Sequence, residues 1–165
     1  MKTVKVQELS LEKFNRYGVF ANMLDPDTDK LGASPIEFYR DMLQLDVGQA
    51  QPSFSVCRVE KRNLVIDLSE YHNTTCEGLL PLDEAVYIHV APANGGDKVP
   101  VEQIEVFKVP QGTFVALRRG VWHHAPFTAG NKAANVLVVL PERAYAVDCI
   151  VREIAAGDRI KIIAR

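Results

Sequence analysis

The sequence lacks the long apolar runs and the charge imbalance that mark several classes of protein. No stretch approaches the roughly 20 apolar residues of a membrane span, and the charged N-terminal segment has no apolar core of the kind found in a signal peptide. The formal net charge is −2, which provides no basic surface for non-specific nucleic-acid binding. We therefore expect a cytoplasmic protein that binds neither membranes nor nucleic acids.

Cysteine is scarce and irregularly spaced. The three cysteines are odd in number and include no Cys-x-x-Cys pair, which favours reduced thiols over a disulfide framework. We expect no catalytic role for Cys57, Cys76 or Cys149.

Strand signals dominate a chain whose 165 residues are 47% apolar and 24% charged, values that suit one domain spanning residues 1–165. Short runs of alternating or continuous apolar residues are bounded by turn signals rich in glycine, proline and asparagine. Such a pattern predicts a mainly β protein, an antiparallel sandwich or barrel. The predicted strands are residues 3–9, 54–59, 64–72, 84–92, 104–110, 113–119, 135–141, 146–154 and 158–164.

Helix signals are confined to two short segments. The first begins at Ser10 and ends before Gly18. The second is "SPIEFYRDML", in which Ser34 would cap the helix and Pro35 would occupy its first position. The surrounding segment, residues 22–51, is irregular in pattern, and long irregular segments of compact domains are often functional.

Candidate chemistry starts in the run "EYHNTTCE". Glu70 and His72 lie two apart on a predicted strand, so both side chains project from one face and can contact one ion. A tight turn after them would let Glu77 begin the returning strand and add a third donor. Clustered imidazoles and carboxylates suit a divalent ion such as Mn, Fe, Ni or Zn, among which the sequence does not choose.

A second run, "GTFVALRRGVWH", places Gly112, Arg118, Gly120 and His123 at regular spacings. The two runs resemble the two motifs of cupin proteins, in the same order along the chain. Glu70 stands where the first motif begins with a histidine, and Arg118 replaces a proline of the second motif. The resemblance implies a cupin-type double-stranded β-helix, the jelly-roll barrel, with one or two short helices.

Most of the chain outside residues 20–55 also resembles the ureidoglycolate lyase family of small cupins. Three departures lie near the candidate site: Glu77 stands where that family tends to have glutamine, Arg118 where it tends to have histidine, and Ala125 separates the paired histidines from Pro126. The segments that carry the resemblance are "VQELSLEKFNRYG", the Glu-x-His run with "LLPL" after it, "VYIHVAP", "RGVWHH" and Asp148-Cys149, of which "VWHH" is the most diagnostic.

The resemblance implies an enzyme of allantoin breakdown, and hence of purine metabolism, that releases glyoxylate and urea from ureidoglycolate. It also implies a homodimer and a divalent ion that polarises a small carboxylic-acid substrate. The implied metal ligands are Glu70, His72, Glu77 and His123.

Catalytic roles are open for three residues. Glu77 would act as the acid-base group if it is not a metal ligand. Arg118 or Arg119 would hold the substrate carboxylate, although a solvated turn explains both arginines as well.

The adjacent histidines of "VWHH" are expected to differ in orientation. Side chains alternate along a strand, so His123 would face the metal while His124 points away, into an outer layer or a subunit contact. His89 falls out of phase with the apolar residues around it, which predicts that it only packs or faces solvent.

Two other functional classes fit the same sequence. One is a non-catalytic cupin that binds a small organic acid, such as a keto or hydroxy acid, and the other is a cupin isomerase or decarboxylase acting on a keto acid or a sugar derivative. Release of glyoxylate from ureidoglycolate would distinguish the lyase from both.

Overall fold

The computed structural model describes residues 1–164 and confirms a mainly β protein. Within residues 1–164 there are fifteen strands, two α-helices of four residues each and one short 3-10 turn. The strands are β1 (Lys2–Glu8), β2 (Gly18–Asn22), β3 (Lys30–Ala33), β4 (Ile36–Tyr39), β5 (Pro52–Val59), β6 (Val65–Ile66), β7 (Leu68–Tyr71), β8 (Glu77–Pro81), β9 (Val86–Val90), β10 (Glu105–Val109), β11 (Thr113–Leu117), β12 (Phe127–Thr128), β13 (Ala134–Pro141), β14 (Ile150–Glu153) and β15 (Ile160–Ile163); the helices are α1 (Leu11–Phe14) and α2 (Ala144–Val147), and the 3-10 turn is Val101–Gln103.

Two large sheets form the body of the domain. One has the strand order β12-β9-β10-β1-β15-β6 and the other β2-β11-β8-β13-β5, while β14-β7 and β3-β4 form two-stranded sheets. Most pairs are antiparallel, as predicted. The exception is β1, which pairs in parallel with both β10 and β15. The first strand therefore sits between a central and a C-terminal strand.

The core has two parts. One lies between the two large sheets, and the other covers the opposite face of the first sheet. Ile88 and Phe107 of the first sheet pack in one cluster with Leu79 and Val115 of the second sheet. The residues that alternate with them on β9 and β10, such as Tyr87, belong to a second cluster. Apolar side chains therefore cover both faces of β9 and β10. The two large sheets form the predicted jelly-roll barrel.

One predicted helix is confirmed and the other is wrong. The helix α1 falls within the segment that starts at Ser10, but "IEFY" forms the strand β4, paired with β3. Here Ile36 and Phe38 share one face and Glu37 the other, a period of two that tertiary pairing favours over the helix-start signal at Ser34.

The C-terminal strand prediction also needs correction. Residues 144–147 form α2, so the strand predicted over 146–154 starts only at Ile150. No helix within residues 1–164 is long and apolar enough to cross a membrane.

Candidate metal centre

Glu70 and His123 lie opposite each other on neighbouring extended segments. The amide of Glu70 donates to the carbonyl of His123 at 2.6 Å, and the amide of His123 donates to the carbonyl of Glu70 at 2.8 Å. Residues directly opposite in an antiparallel pair project from the same face. His72, two residues beyond Glu70, shares that face, so three of the predicted ligands come together.

The turn before His123 depends on glycine. Gly120 has a φ of +75°, a left-handed conformation that residues with a Cβ rarely adopt. Its amide donates to the carbonyl of His72 at 2.7 Å. The motif glycine therefore ties the second histidine's segment to the first.

Glu77 completes the cluster from the opposite sheet. It begins β8, as predicted, and its buried carboxylate meets both imidazoles. Its Oε2 lies 2.9 Å from Nε2 of His72 and 2.8 Å from Nε2 of His123. Both histidines are themselves buried, so one carboxylate oxygen is shared by two imidazoles inside the barrel.

Backbone carbonyls fix which nitrogen of each imidazole faces the centre. Nδ1 of His72 donates to the carbonyl of Asp148, and Nδ1 of His123 donates to the carbonyl of Val121 at 2.8 Å. A neutral imidazole whose proton is on Nδ1 has a lone pair on Nε2. Both lone pairs then point at Glu77, which is the orientation of metal-binding histidines.

The pKa values in this cluster reflect a need for positive charge beside Glu77. Burial raises the pKa of Glu77, but the charge of His123 and the hydrogen bonds from both histidines outweigh it and hold the pKa at about 2. Burial lowers the pKa of His123, and Glu77 outweighs burial to raise it to about 9. A buried carboxylate is stable here only with protons or a cation beside it.

The donor set fits a divalent ion. One ligand atom from each of Glu70, His72 and His123 lies within 4.8 Å of the other two. Metal bonds of about 2.1 Å place neighbouring donors about 3 Å apart, which matches the 2.9 and 2.8 Å separations between Glu77 and the two imidazoles. Glu77 contacts both imidazoles but is not part of this group of three. A mixed set of carboxylate and imidazole donors suits Mn, Fe, Ni or Zn.

Glu70 is held at the edge of the cluster by two neighbours. Its Oε2 accepts from the Cys149 thiol at 3.2 Å, and its Oε1 lies 3.3 Å from Nδ1 of His124. Burial and the adjacent Glu70 raise the pKa of Cys149 to about 12. A raised pKa favours the protonated thiol, which is a weaker nucleophile than a thiolate.

The predicted orientation of His124 is wrong in one respect. Its ring reaches the carboxylate of Glu70 and does not lie in a separate outer layer. The strict alternation of side chains applies only to extended chain, and regular pairing ends at His123, where the chain bends at Ala125.

Asp148 stabilises the site, a role that the sequence did not predict. The sequence showed this residue only as part of a segment that resembles the family. Its carboxylate accepts hydrogen bonds from the amides of Asn73 and Thr74, each at 2.8 Å, and from the Thr74 hydroxyl at 2.6 Å. Its own carbonyl accepts from His72. Asp148 therefore anchors the turn that follows His72 and also orients the imidazole.

Arg118 and Arg119 lie on the surface with other partners. Arg118 donates to the carbonyl of Asn15, and Arg119 forms a 2.6 Å ion pair with Asp46. Both arginines are exposed. Their predicted contact with a substrate carboxylate stays a prediction.

His89 packs outside the metal cluster, as expected. It is buried, and its Nε2 lies 3.1 Å from the hydroxyl of Ser69. Burial, with nearby positive charge, lowers its pKa to about 3. The imidazole is therefore neutral at ordinary pH.

Comparison with protein families gives one match that covers nearly the whole chain. The model of the family described as ureidoglycolate lyase matches residues 1–162. No curated protein matches the sequence significantly.

Several solved structures are similar in part. A variant of Bacillus subtilis oxalate decarboxylase has a TM-score of 0.46 and 14% identity, over 64% of this chain and 24% of that one. Lactobacillus farciminis oxalate decarboxylase, in a formate complex, has a TM-score of 0.43 and 13% identity, over 67% of this chain and 34% of that one. A dTDP sugar isomerase from Desulfovibrio desulfuricans has a TM-score of 0.47 and 15% identity, over 86% and 87%. The chain thus spans about a quarter to a third of the oxalate decarboxylases.

Proposed function

The chain belongs to the ureidoglycolate lyase family, and we propose that it is a metal-dependent lyase that cleaves ureidoglycolate into glyoxylate and urea. The observation that carries the metal requirement is the convergence of two Nε2 atoms on one oxygen of Glu77. By family resemblance the reaction belongs to allantoin breakdown in the cytoplasm.

The residues that would hold the ion are Glu70, His72, Glu77 and His123. The two carboxylates balance a charge of +2, and the four donors leave two positions of a six-coordinate shell for substrate. When bound, the ion supplies Lewis-acid polarisation of the substrate's hydroxyl group.

The reaction requires one proton to move from oxygen to nitrogen. The substrate's hydroxyl loses its proton, the carbon–nitrogen bond breaks as the aldehyde of glyoxylate forms, and the departing urea nitrogen gains a proton. No water is consumed. A single carboxylate within reach of both atoms can therefore carry the proton across.

We assign this proton transfer to Glu70. Its side chain is 19% exposed, whereas that of Glu77 is 9% exposed, so a substrate entering from solvent meets Glu70 first. A hydrogen bond from Cys149 orients the carboxylate, and Nδ1 of His124 lies 3.3 Å from its other oxygen. Glu77, which is engaged by both imidazoles, serves as a ligand in this proposal.

The proposed oligomer is a homodimer. Several large apolar side chains are exposed on β5 and on the β3-β4 hairpin, and exposed apolar side chains of this kind support a protein contact. They are Leu31, Ile36, Phe38, Phe54 and Val56.

The proposed function is tested by incubating metal-loaded protein with ureidoglycolate and measuring glyoxylate and urea. The parent is expected to release both in equal amounts and to stop when a chelator removes the metal. Glu70→Gln is expected to keep the fold while losing most of the turnover, because the amide accepts no proton and is also a weaker metal ligand than the carboxylate; metal content measured alongside turnover separates the two effects. Tight substrate binding without any product would support the non-catalytic alternative instead.

A further inference from the structure

A cavity of about 500 Å³ opens at the end of the barrel away from the metal cluster. Glu77 pairs with Leu117 of β11, and Thr113, which lines the cavity, lies four residues away along the same strand. At about 3.4 Å per residue, this separation is about 14 Å. The cavity falls within the range of roughly 300–1,000 Å³ that is typical of small-molecule sites.

The walls of this cavity are mainly apolar. Leu9 and Phe20 pack against the core between the two large sheets, whereas Leu11 is 65% exposed near the opening. The cavity is therefore a place where the apolar interior meets solvent, which suits a ligand with an apolar body. The apolar side chains that line it are Leu9, Leu11, Phe20, Met42 and Pro110.

One buried hydroxyl points into the cavity from the barrel interior. Thr113 pairs with Asn22, and two residues along, Val115 pairs with Phe20. Val115 is a core residue, so the alternation of side chains places Thr113 on the same inward face. Thr113 is 4% exposed, and its hydroxyl has no hydrogen-bond partner within residues 1–164. A polar group of a ligand would supply the missing partner.

Two carboxylates line the same cavity where it meets solvent. Asp25 and Asp27 are exposed, and neither forms an ion pair in the part of the chain that the structure describes. No lysine or arginine lines the cavity. Oδ1 of Asn22 accepts from the amides of Leu24 at 3.0 Å and of Asp25 at 3.2 Å, which fixes the start of this acidic segment. The cavity therefore presents two negative charges to an incoming ligand.

We propose that this cavity is a second binding site, which takes a small molecule with a protonated amine on an apolar body. An ammonium group has three N–H donors, and the two carboxylates and the Thr113 hydroxyl are acceptors for them. The apolar body lies against the walls. The site shares no residue with the metal cluster, so it operates whatever reaction the cluster catalyses.

The arrangement favours an organic cation over a metal ion. Asp25, Asp27 and Asp29 alternate along the chain, as carboxylate ligands of calcium loops do. Within residues 1–164, however, the group of three potential ligands that converges on one point is Glu70, His72 and His123. The alternating aspartates do not converge in this way.

The test compares three probes of similar shape and different charge: 2-phenylethylamine, 2-phenylethanol and 3-phenylpropanoate. Binding to the metal-loaded full chain is measured by calorimetry for the parent, the double variant Asp25→Asn/Asp27→Asn, Thr113→Val and Thr113→Ser. Asp29→Asn is the matched control, because this exposed acid lies in the same segment but does not line the cavity. Circular dichroism and metal content are measured for every variant.

The amine is expected to bind the parent at least tenfold more tightly than the alcohol or the acid. The double variant should bind the amine about tenfold more weakly, since charge-assisted hydrogen bonds are lost, and Thr113→Val about fivefold more weakly. Thr113→Ser keeps the hydroxyl and should bind like the parent, as should Asp29→Asn. Metal content should be the same throughout.

The proposal is overturned if the parent binds the amine no more tightly than the alcohol, or if the double variant binds it as the parent does. Equal weakening by Asp29→Asn would also overturn it, because the effect would then be one of general surface charge. Displacement of the amine by calcium at an equal concentration would assign the carboxylates to a metal ion instead.

Discussion

Nε2 of His123 lies 2.8 Å from Oε2 of Glu77, although the two residues are 46 positions apart in the sequence. Because Nδ1 of His123 donates to a backbone carbonyl, a neutral imidazole would direct a lone pair at a carboxylate oxygen. Two acceptors at this distance repel each other unless a proton or a cation lies between them. A shared divalent ion satisfies both.

His123→Ala is expected to abolish metal binding, because the ion loses one of four donors. His124→Ala should keep the metal, since this ring contacts Glu70 and lies outside the donor set. Metal content of the two purified variants, with circular dichroism to confirm folding, checks the prediction. Full metal content in folded His123→Ala, with loss in His124→Ala, would show that the two histidines are assigned the wrong way round.

Asp148→Ala is expected to weaken metal affinity by about tenfold to a hundredfold, the range for residues that orient metal ligands. The variant loses three hydrogen bonds to the turn after His72 while keeping the carbonyl that accepts from the imidazole. Titration with a metal of choice measures the affinity, and Asp97→Ala, which removes an exposed surface carboxylate, is the control. Equal affinities for the parent and Asp148→Ala would exclude the orienting role.

Arg118→Ala and Arg119→Ala test the sequence-based assignment of a carboxylate-binding arginine. A charge-assisted hydrogen bond contributes about 1.5–3 kcal/mol, so loss of a real substrate contact would raise KM by roughly tenfold to a hundredfold. Because both side chains are exposed and have other partners, the structure favours a smaller change. Kinetics with ureidoglycolate and binding of a dicarboxylic acid decide between the two outcomes.

His89 is expected to make the protein less stable in acid. Its pKa in the folded state, about 3, lies below the ordinary value of 6.5. The unfolded chain therefore binds the proton more readily, and stability is lost as the pH falls below about 6.5. The slope for one group is at most about 1.4 kcal/mol per pH unit.

Urea unfolding of the parent and His89→Gln between pH 7 and pH 5 measures this effect. The stability of the parent should fall relative to that of the variant as the pH decreases. A constant difference between the two proteins over that range would show that His89 does not titrate as a buried neutral group.

The sequence predicted the parts of the site that depend on local spacing. The pair Glu70 and His72 and the start of β8 at Glu77 follow from a period of two and a short turn. The pairing that sets Glu70 opposite His123 joins distant segments of the chain, and no local pattern encodes it.

The sequence also did not predict contacts between segments that are far apart in the chain. Asp148 reaches His72 across 76 positions, and only the folded chain shows this contact. In the β4 segment a local pattern gave the wrong prediction. The residues after Ser34 have a helix-start pattern, but they form a strand that pairs with β3. Local preference is weak where tertiary pairing satisfies the backbone.

The most direct test of the account is elemental analysis of the protein purified without added metal, compared with His72→Ala prepared in the same way. The account predicts close to one divalent ion per chain in the parent, from the Mn, Fe, Ni and Zn group, and its loss in the variant. A parent that contains no such ion and takes none up on titration with all four would contradict the metal centre.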